Sequence, residues 1–176
     1  EAIVNRTNAD LANGLGNLTQ RSLKMIAANC GGAVPQRGEL TEADGAILDQ
    51  AVEALRTARK AMAEQGIHLA LAAIFGVAAE ADRYFTSQEP WALKKTDPVR
   101  METVLWTTAE IVRRVALLSQ PYIPGSAAKL LDLLAVPADK RDFVHVHADY
   151  ALVPGTALPV PEGVFPRYVE QPSANA

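Results

Sequence analysis

The sequence predicts an all-α protein: an antiparallel bundle of about five helices followed by an irregular C-terminal tail. Three observations carry this. Apolar residues recur at three- and four-residue spacing through most of the first 136 positions, which is the period of a helix with one buried face. Gly31-Gly32, Gly66, Pro90, Pro98, Pro121 and Pro137 stand at the joints between these segments, so the connections are short. Strands do not alternate with helices and no segment repeats, so neither a βαβ sheet nor a solenoid fits. The organisation expected is a bundle over 1–136, a tail over 137–170 that packs on the bundle or on a further domain, and a disordered end at 171–176.

Taken in order, Leu11, Leu15, Leu18 and then Met25 or Ile26 line one face of a first helix, from about Asn5 to Asn29, ended by Gly31-Gly32. Thr41-Glu-Ala-Asp is a helix-start signal, and a second helix follows to about Glu64 before Gly66 breaks the chain. A third runs from about Ile67 to Phe85, with Leu71, Ile74, Phe75 and Ala78 to one side. TSQEPWALKKT reads as an irregular connection. Asp97-Pro98, a cap followed by Pro in the first turn, opens a fourth helix that reaches about Ser119. A short fifth helix carries Ala128, Leu130, Leu131, Leu133 and Leu134. Beyond Pro137 the period is lost, leaving room for at most a short strand near FVHVH.

The 176 residues fit one domain, and at 49% hydrophobic they can bury an adequate core. The longest apolar runs fall far short of the roughly 20 residues a spanning helix needs, so no membrane is expected. The chain opens on Glu1-Ala2-Ile3-Val4, without Met and inside an apparent helix, and is expected to be a piece of a longer protein. A single cysteine, Cys30, can form neither an internal disulfide nor, alone, a structural zinc site, and a reducing cytosol is the expected setting. The net charge of −3 argues against sequence-independent nucleic-acid binding. Any nucleic-acid role must be local and must read bases. The basic groups Arg56, Arg59, Lys60 and Lys94, Lys95 read by themselves as solvated helix faces.

On the first helix, Asn13, Asn17, Arg21 and Lys24 follow one another at spacings of four, four and three, forming a polar ridge beside the leucine stripe. An amide offers donor and acceptor side by side, and a guanidinium offers a planar fork; together they suit base edges and base stacking. Spacing alone favours an ordinary solvated ridge. Gly14 and Gly16, poor helix formers in the same stretch, are best explained by close approach of a neighbouring helix. Trp91 follows Pro90 between helices, either as a plug over the end of the core or as a ligand platform. At about 1.5 Å per residue, a second helix descending about 34 Å and a third climbing back about 28 Å end some 6 Å below the first helix's C-terminal end, close to Lys24 and Arg21. Trp91 and the Asn17–Arg21 ridge are therefore expected at one end of the bundle. His145 and His147 alternate as on a strand, but no third ligand is near in sequence and no metal is expected. No catalytic cysteine, P-loop or Gly-x-Ser-x-Gly elbow is present, so no catalytic residue is assigned.

NADLANGLGNLTQR, RYFTSQEPWALKK, QPYIPGSAAKLLDLL and the terminal VFPR together resemble the anticodon-binding domain of bacterial methionyl-tRNA synthetases, over nearly the whole chain to about Arg167. Tyr followed by Pro-Trp is shared with the class I synthetases for leucine, isoleucine and valine. Asn-Leu-x-x-Arg combined with Pro-Trp is much more particular to the methionine family. The resemblance implies that Asn17 and Arg21 contact anticodon bases and that Trp91 stacks on the cytosine of CAU, with Asn13, Lys24, Lys94 and Lys95 as candidate RNA-contacting residues. It implies a methionine-accepting tRNA as partner and a separate catalytic domain bearing HIGH- and KMSKS-type motifs and an inserted, often zinc-bearing, domain. Neither motif occurs in this chain. ATP-dependent attachment of methionine is thus implied for a longer parent in the cytoplasm, while this piece needs no cofactor. The rivals are the corresponding domain of a leucine, isoleucine or valine enzyme, which leaves Asn17 and Arg21 without a role, and a helical protein-interaction module anchored by Trp91. An apolar rim around an exposed Trp91 favours the module; a polar rim with Arg21 within reach favours RNA.

Overall fold

The structure is a computed structural model in which residue 11 and residues 14–165 are described. The expected first turns of the opening helix from Asn5, the candidate contact Asn13, and Arg167, Tyr168 and the 171–176 end lie outside the described residues. Six α-helices follow one another: α1 Asn17–Asn29, α2 Glu42–Ala63, α3 Ile67–Gln88, α4 Pro90–Thr96, α5 Pro98–Ser119 and α6 Pro124–Leu133. The five expected helices are α1, α2, α3, α5 and α6. The connection expected to be irregular contains the sixth, a seven-residue helix. Pro90 starts it because its ring presets a helical φ and its missing N–H is not needed in a first turn.

Boundary chemistry matches the residues. At α2, Thr41 and Asp44 cap reciprocally: Thr41 N–H donates to Asp44 Oδ2 at 2.9 Å and Asp44 N–H to Thr41 Oγ1 at 3.4 Å. Asp97 caps α5 by accepting from Arg100 N–H at 3.0 Å. Gly31 and Gly32, at φ of 63° and 70°, end α1 in left-handed conformations that only glycine takes without steric cost. Between α3 and α4, Glu89 takes that region at φ 46°, turning the chain sharply within one residue so that α4 leaves α3 at an angle.

Helix α5 is the axis. Apart from Glu102, every residue from Met101 to Ser119 is buried, and α1, α2, α3, α4 and α6 all pack on it. A helix enclosed on all sides should be apolar throughout, yet this one carries Glu110, Arg113 and Arg114. The carboxylate accepts from Arg113 Nε at 2.8 Å and Nη2 at 2.6 Å, from Arg114 Nε at 2.7 Å and from Leu152 N–H at 3.0 Å. Two further guanidinium nitrogens reach outward: Arg114 Nη1 donates to the Leu48 carbonyl of α2 at 2.8 Å, and Arg113 Nη1 to the His145 carbonyl at 2.5 Å. With Trp106 Nε1 donating to the Leu152 carbonyl at 3.1 Å, these bonds bind residues 145–152 to the bundle.

The segment after α6 contains no strand at FVHVH; Phe143–Val146 is a turn of 3-10 helix, flanked by others at Ala138–Lys140 and Ala148–Tyr150. Alternation in FVHVH suggested a strand, but among the described residues no neighbouring strand pairs with it, and its backbone closes on itself instead, with His145 N–H donating to the Asp142 carbonyl at 2.9 Å. Extended pairing occurs only as an isolated antiparallel bridge between Ala33 and Ala157 among the described residues. Residues 14–16 form a π-helical turn just before α1. A Cβ on Gly16 would come within 2.9 Å of the Leu11 carbonyl oxygen and 3.1 Å of Phe165 Cδ2. Close approach does account for this glycine, but the neighbour is the C-terminal tail and not a helix.

Candidate nucleic-acid interface

Three helices converge where Trp91 leaves the bundle. Arg21 rises from the middle of α1, Asp82 and Phe85 lie one turn apart on α3, and Trp91 is the second residue of α4. Phe85 is fully buried, and its ring meets the indole edge to face, centroids 6.0 Å apart at 63°. Arg21 Cζ sits 5.0 Å from the Phe85 centroid and 5.8 Å from that of Trp91, and Arg21 Nη1 donates to Asp82 Oδ1 at 3.3 Å. Trp91 is 44% exposed, so the indole is anchored at one edge and open to solvent over much of its surface.

The floor is built by a second set of contacts. Arg100 of α5 donates to both Asp44 oxygens, at 2.5 and 2.8 Å, and to Gln88 Oε1 at 2.6 Å in the last turn of α3. Tyr84 Oη donates to Asp44 Oδ1 at 2.5 Å. Burial alone would raise the Asp44 carboxyl, but the bonds from Arg100, Tyr84 and Thr41 outweigh it and hold it at about 2. Burial and the adjacent Asp44 charge push the Tyr84 phenol up in turn. The network ties α2, α3 and α5 together directly before the Glu89 turn, which fixes where α4, and with it Trp91, departs.

Arg21 and Trp91 meet. Asn17 is exposed one helical turn before Arg21 on the same face of α1, with no side-chain hydrogen bond among the described residues. Lys24 is exposed three residues past Arg21, and Lys94 and Lys95, both exposed, stand three and four past Trp91. His145 and His147 do not pair: His145 is buried against Tyr150, ring centroids 4.5 Å apart, and His147 is exposed beside Arg37 and Trp106. No group of three His, Cys, Asp or Glu among the described residues could hold a metal, and no helix among them is long and apolar enough to cross a membrane. Burial, with the Glu102 charge adding to it, raises the Cys30 thiol to about 11 and makes it a poor nucleophile.

Residues 34–175 match the family described as the anticodon-binding domain of methionyl tRNA ligase. The chain belongs to that family. It is 86% identical over its full 176 residues to the methionine–tRNA ligase of Mesorhizobium japonicum, of which it covers 34%, and 68% identical over 99% of its length to that of Brucella suis, again covering 34%. Among solved structures it is similar to the free form of Mycobacterium tuberculosis methionyl-tRNA synthetase, with a TM-score of 0.93 and 49% identity over 97% of this chain and 35% of that one. The same enzyme in complex with methionyl-adenylate gives a TM-score of 0.91 at 50% identity, over 95% of this chain and 33% of the other. The chain thus spans about a third of the length of the relatives it matches.

In this anticodon-binding domain the sequence pattern missed Asp82, Phe85 and the Arg100–Asp44–Gln88 floor. Asp82 and Phe85 carry a weak signal, one helical turn apart on α3 and shortly before Pro-Trp. Their partner Arg21 is 61 residues away from Asp82, and spacing says nothing about such a contact.

Proposed function

We propose that the Arg21–Trp91 site reads the CAU anticodon of methionine-accepting tRNA. Trp91 would stack on an unpaired base, Arg21 and Asn17 would meet base edges, and Lys24, Lys94 and Lys95 would lie along the phosphates, with Asn13 a further contact from the same helix. One observation carries the reading: a guanidinium held 5.8 Å from the centroid of a half-exposed indole, with Asn17, Lys24, Lys94 and Lys95 exposed on the same two helices. Proteins read RNA loops by this combination of aromatic platform and planar donors. A docking anchor for another protein would call for an apolar rim instead. A site that relies on stacking and edge contacts also agrees with a net charge of −3.

In the longer protein we infer a catalytic domain that attaches methionine to tRNA at the expense of ATP in the cytoplasm, with this chain selecting the tRNA. ATP and any zinc ion would belong to that domain. The described residues offer no metal-binding group and the chain lacks the HIGH- and KMSKS-type motifs, so no step through either is assigned here. The division into a bundle over 1–136 and a tail over 137–170 belongs to the same reading. The bonds from Arg113, Trp106 and Glu110 to residues 145–152 support the tail closing on this bundle. The test is binding of the chain to a stem-loop carrying CAU and to one with the first base changed. The expected result is preference for CAU; equal binding to both would sink the reading.

A further inference from the structure

We infer that Asp82 is a positioning residue for anticodon discrimination: it does not read the RNA but fixes the plane in which Arg21 presents its donors beside Trp91. The inference rests on the anticodon reading above and adds a residue to it. Arginine is long and flexible, and base-edge recognition needs its planar fork in one orientation. In the structure the head is constrained from two directions. Buried Phe85 stands 5.0 Å from Cζ and limits how far the head can sink toward the core. Asp82 accepts from Nη1 at 3.3 Å and sets its rotation. Among the described residues the bond to Asp82 is the one hydrogen bond that Arg21 makes. Arg21 and Asp82 are 36% and 37% exposed in their side chains, open enough for a base to approach without either being pulled from the core.

An acidic side chain is an unfavourable neighbour for a phosphate backbone, because it adds repulsion where Lys24, Lys94 and Lys95 supply attraction. Its presence in the middle of the site therefore needs a gain elsewhere. As a half-exposed ion pair between α1 and α3 it offers little to stability. The gain lies in orientation, since a reader that is pre-aimed loses less freedom when the base arrives. Asp82 then lowers affinity for any RNA slightly and raises it for the correct one, widening the ratio between them.

The test is a double-mutant cycle in the intact 176-residue chain, read as binding to the CAU stem-loop and to the changed-base control. Asp82→Ala should weaken CAU binding by about tenfold while control binding holds or rises slightly, so discrimination falls. In an Arg21→Ala background the same change should leave discrimination where Arg21→Ala alone put it. Asp82→Asn keeps an acceptor oxygen and should restore most of the ratio, whereas Asp82→Ser, too short to reach Arg21, should lose it as the alanine form does and serves as the second variant should that form fold poorly. An Asp82→Ala chain that discriminates like its parent overturns the inference. So does an equal effect in both backgrounds, because Asp82 would then act without Arg21. A parent chain that binds both stem-loops equally overturns the anticodon reading and this inference together, whereas a discriminating parent with an indifferent Asp82→Ala overturns only the inference.

Discussion

Two arginine–carboxylate groups in this domain use the same chemistry to opposite ends. Around Glu110 the charges are buried, and Arg113 and Arg114 are bound to it while also reaching backbone carbonyls of α2 and the tail. Around Asp82 both side chains are more than a third exposed, and among the described residues a single hydrogen bond at 3.3 Å holds Arg21 beside an exposed indole. The difference lies in burial and not in residue type: the side chains paired at Glu110 are at most 4% exposed, whereas those of Arg21 and Asp82 are 36% and 37% exposed. A guanidinium enclosed in the core can only hold the fold together. One at the surface is open to a ligand.

The comparison breaks most visibly at Glu110. Glu110→Ala leaves two buried guanidinium groups without their carboxylate and the Leu152 N–H without an acceptor, and should cost about 3–5 kcal/mol in urea unfolding. Among molecules that remain folded, preference for the CAU stem-loop should persist, because neither Arg21 nor Trp91 touches this cluster. A loss of discrimination larger than the loss of folded protein would mean that the two regions are coupled.

The reverse pattern is expected at the exposed site. Trp91→Ala should weaken CAU binding by about 1–3 kcal/mol, since a stacking platform is lost. The fold should survive, because Trp91 is half-exposed and its ring meets the core through an edge contact with Phe85, its other neighbour being the solvent-facing Arg21. A chain that melts far below its parent would return Trp91 to the role of a core plug. Arg21→Lys sharpens this further: lysine keeps the charge but not the planar fork, so CAU binding should fall by about 1–3 kcal/mol while the control stem-loop hardly changes. Equal losses on both would reduce Arg21 to phosphate attraction.

Asp44 lies between the extremes, buried and bonded like Glu110 but placed under the Trp91 turn. Its folded carboxyl titrates at about 2 against an ordinary 3.8, so folding favours the ionised form. That contribution, about 2 kcal/mol, is fully present above about pH 4 and is lost as the pH falls through about 2. Unfolding followed by circular dichroism should show this acid limb, and Asp44→Asn should flatten it. An unchanged limb would assign the acid sensitivity to other carboxylates.

The sequence carried the helices because their periods and caps are local: Thr41 with Asp44 and Asp97 with Pro98 mark their own ends within four residues. It also brought Arg21 and Trp91 to one level by counting helical rise. Two things escaped it. Helix α4 is short and lies inside a stretch rich in turn residues, where propensity says little, and its direction is set by Glu89 and by Arg100 reaching from another helix. The polar core of α5 was unreadable because Glu110, Arg113 and Arg114 at spacings of three and four look identical to a solvated ridge. Only knowing what encloses that helix distinguishes the two.

The smallest expected effect is at Gly16, where the tail meets the start of α1. In an open helix, Gly→Ala would stabilise by about 1 kcal/mol through propensity alone. Here the added Cβ would lie 2.9 Å from the Leu11 carbonyl oxygen and 3.1 to 3.3 Å from two atoms of Phe165. A phenyl ring can shift, but a backbone oxygen within a helical turn cannot shift without disturbing its neighbours. Overpacking of this kind costs about 1–3 kcal/mol, which exceeds the propensity gain, so Gly16→Ala should be destabilising by about 1 kcal/mol. Pairing it with Phe165→Ala separates the contributions. Relief of the strain in the double mutant would show that the tail is pressed onto α1, whereas a stabilising Gly16→Ala would show that the carbonyl had moved aside and the glycine was dispensable. Asn17 follows directly, so a small loss of CAU preference should accompany the strain if the π-turn helps to aim that amide.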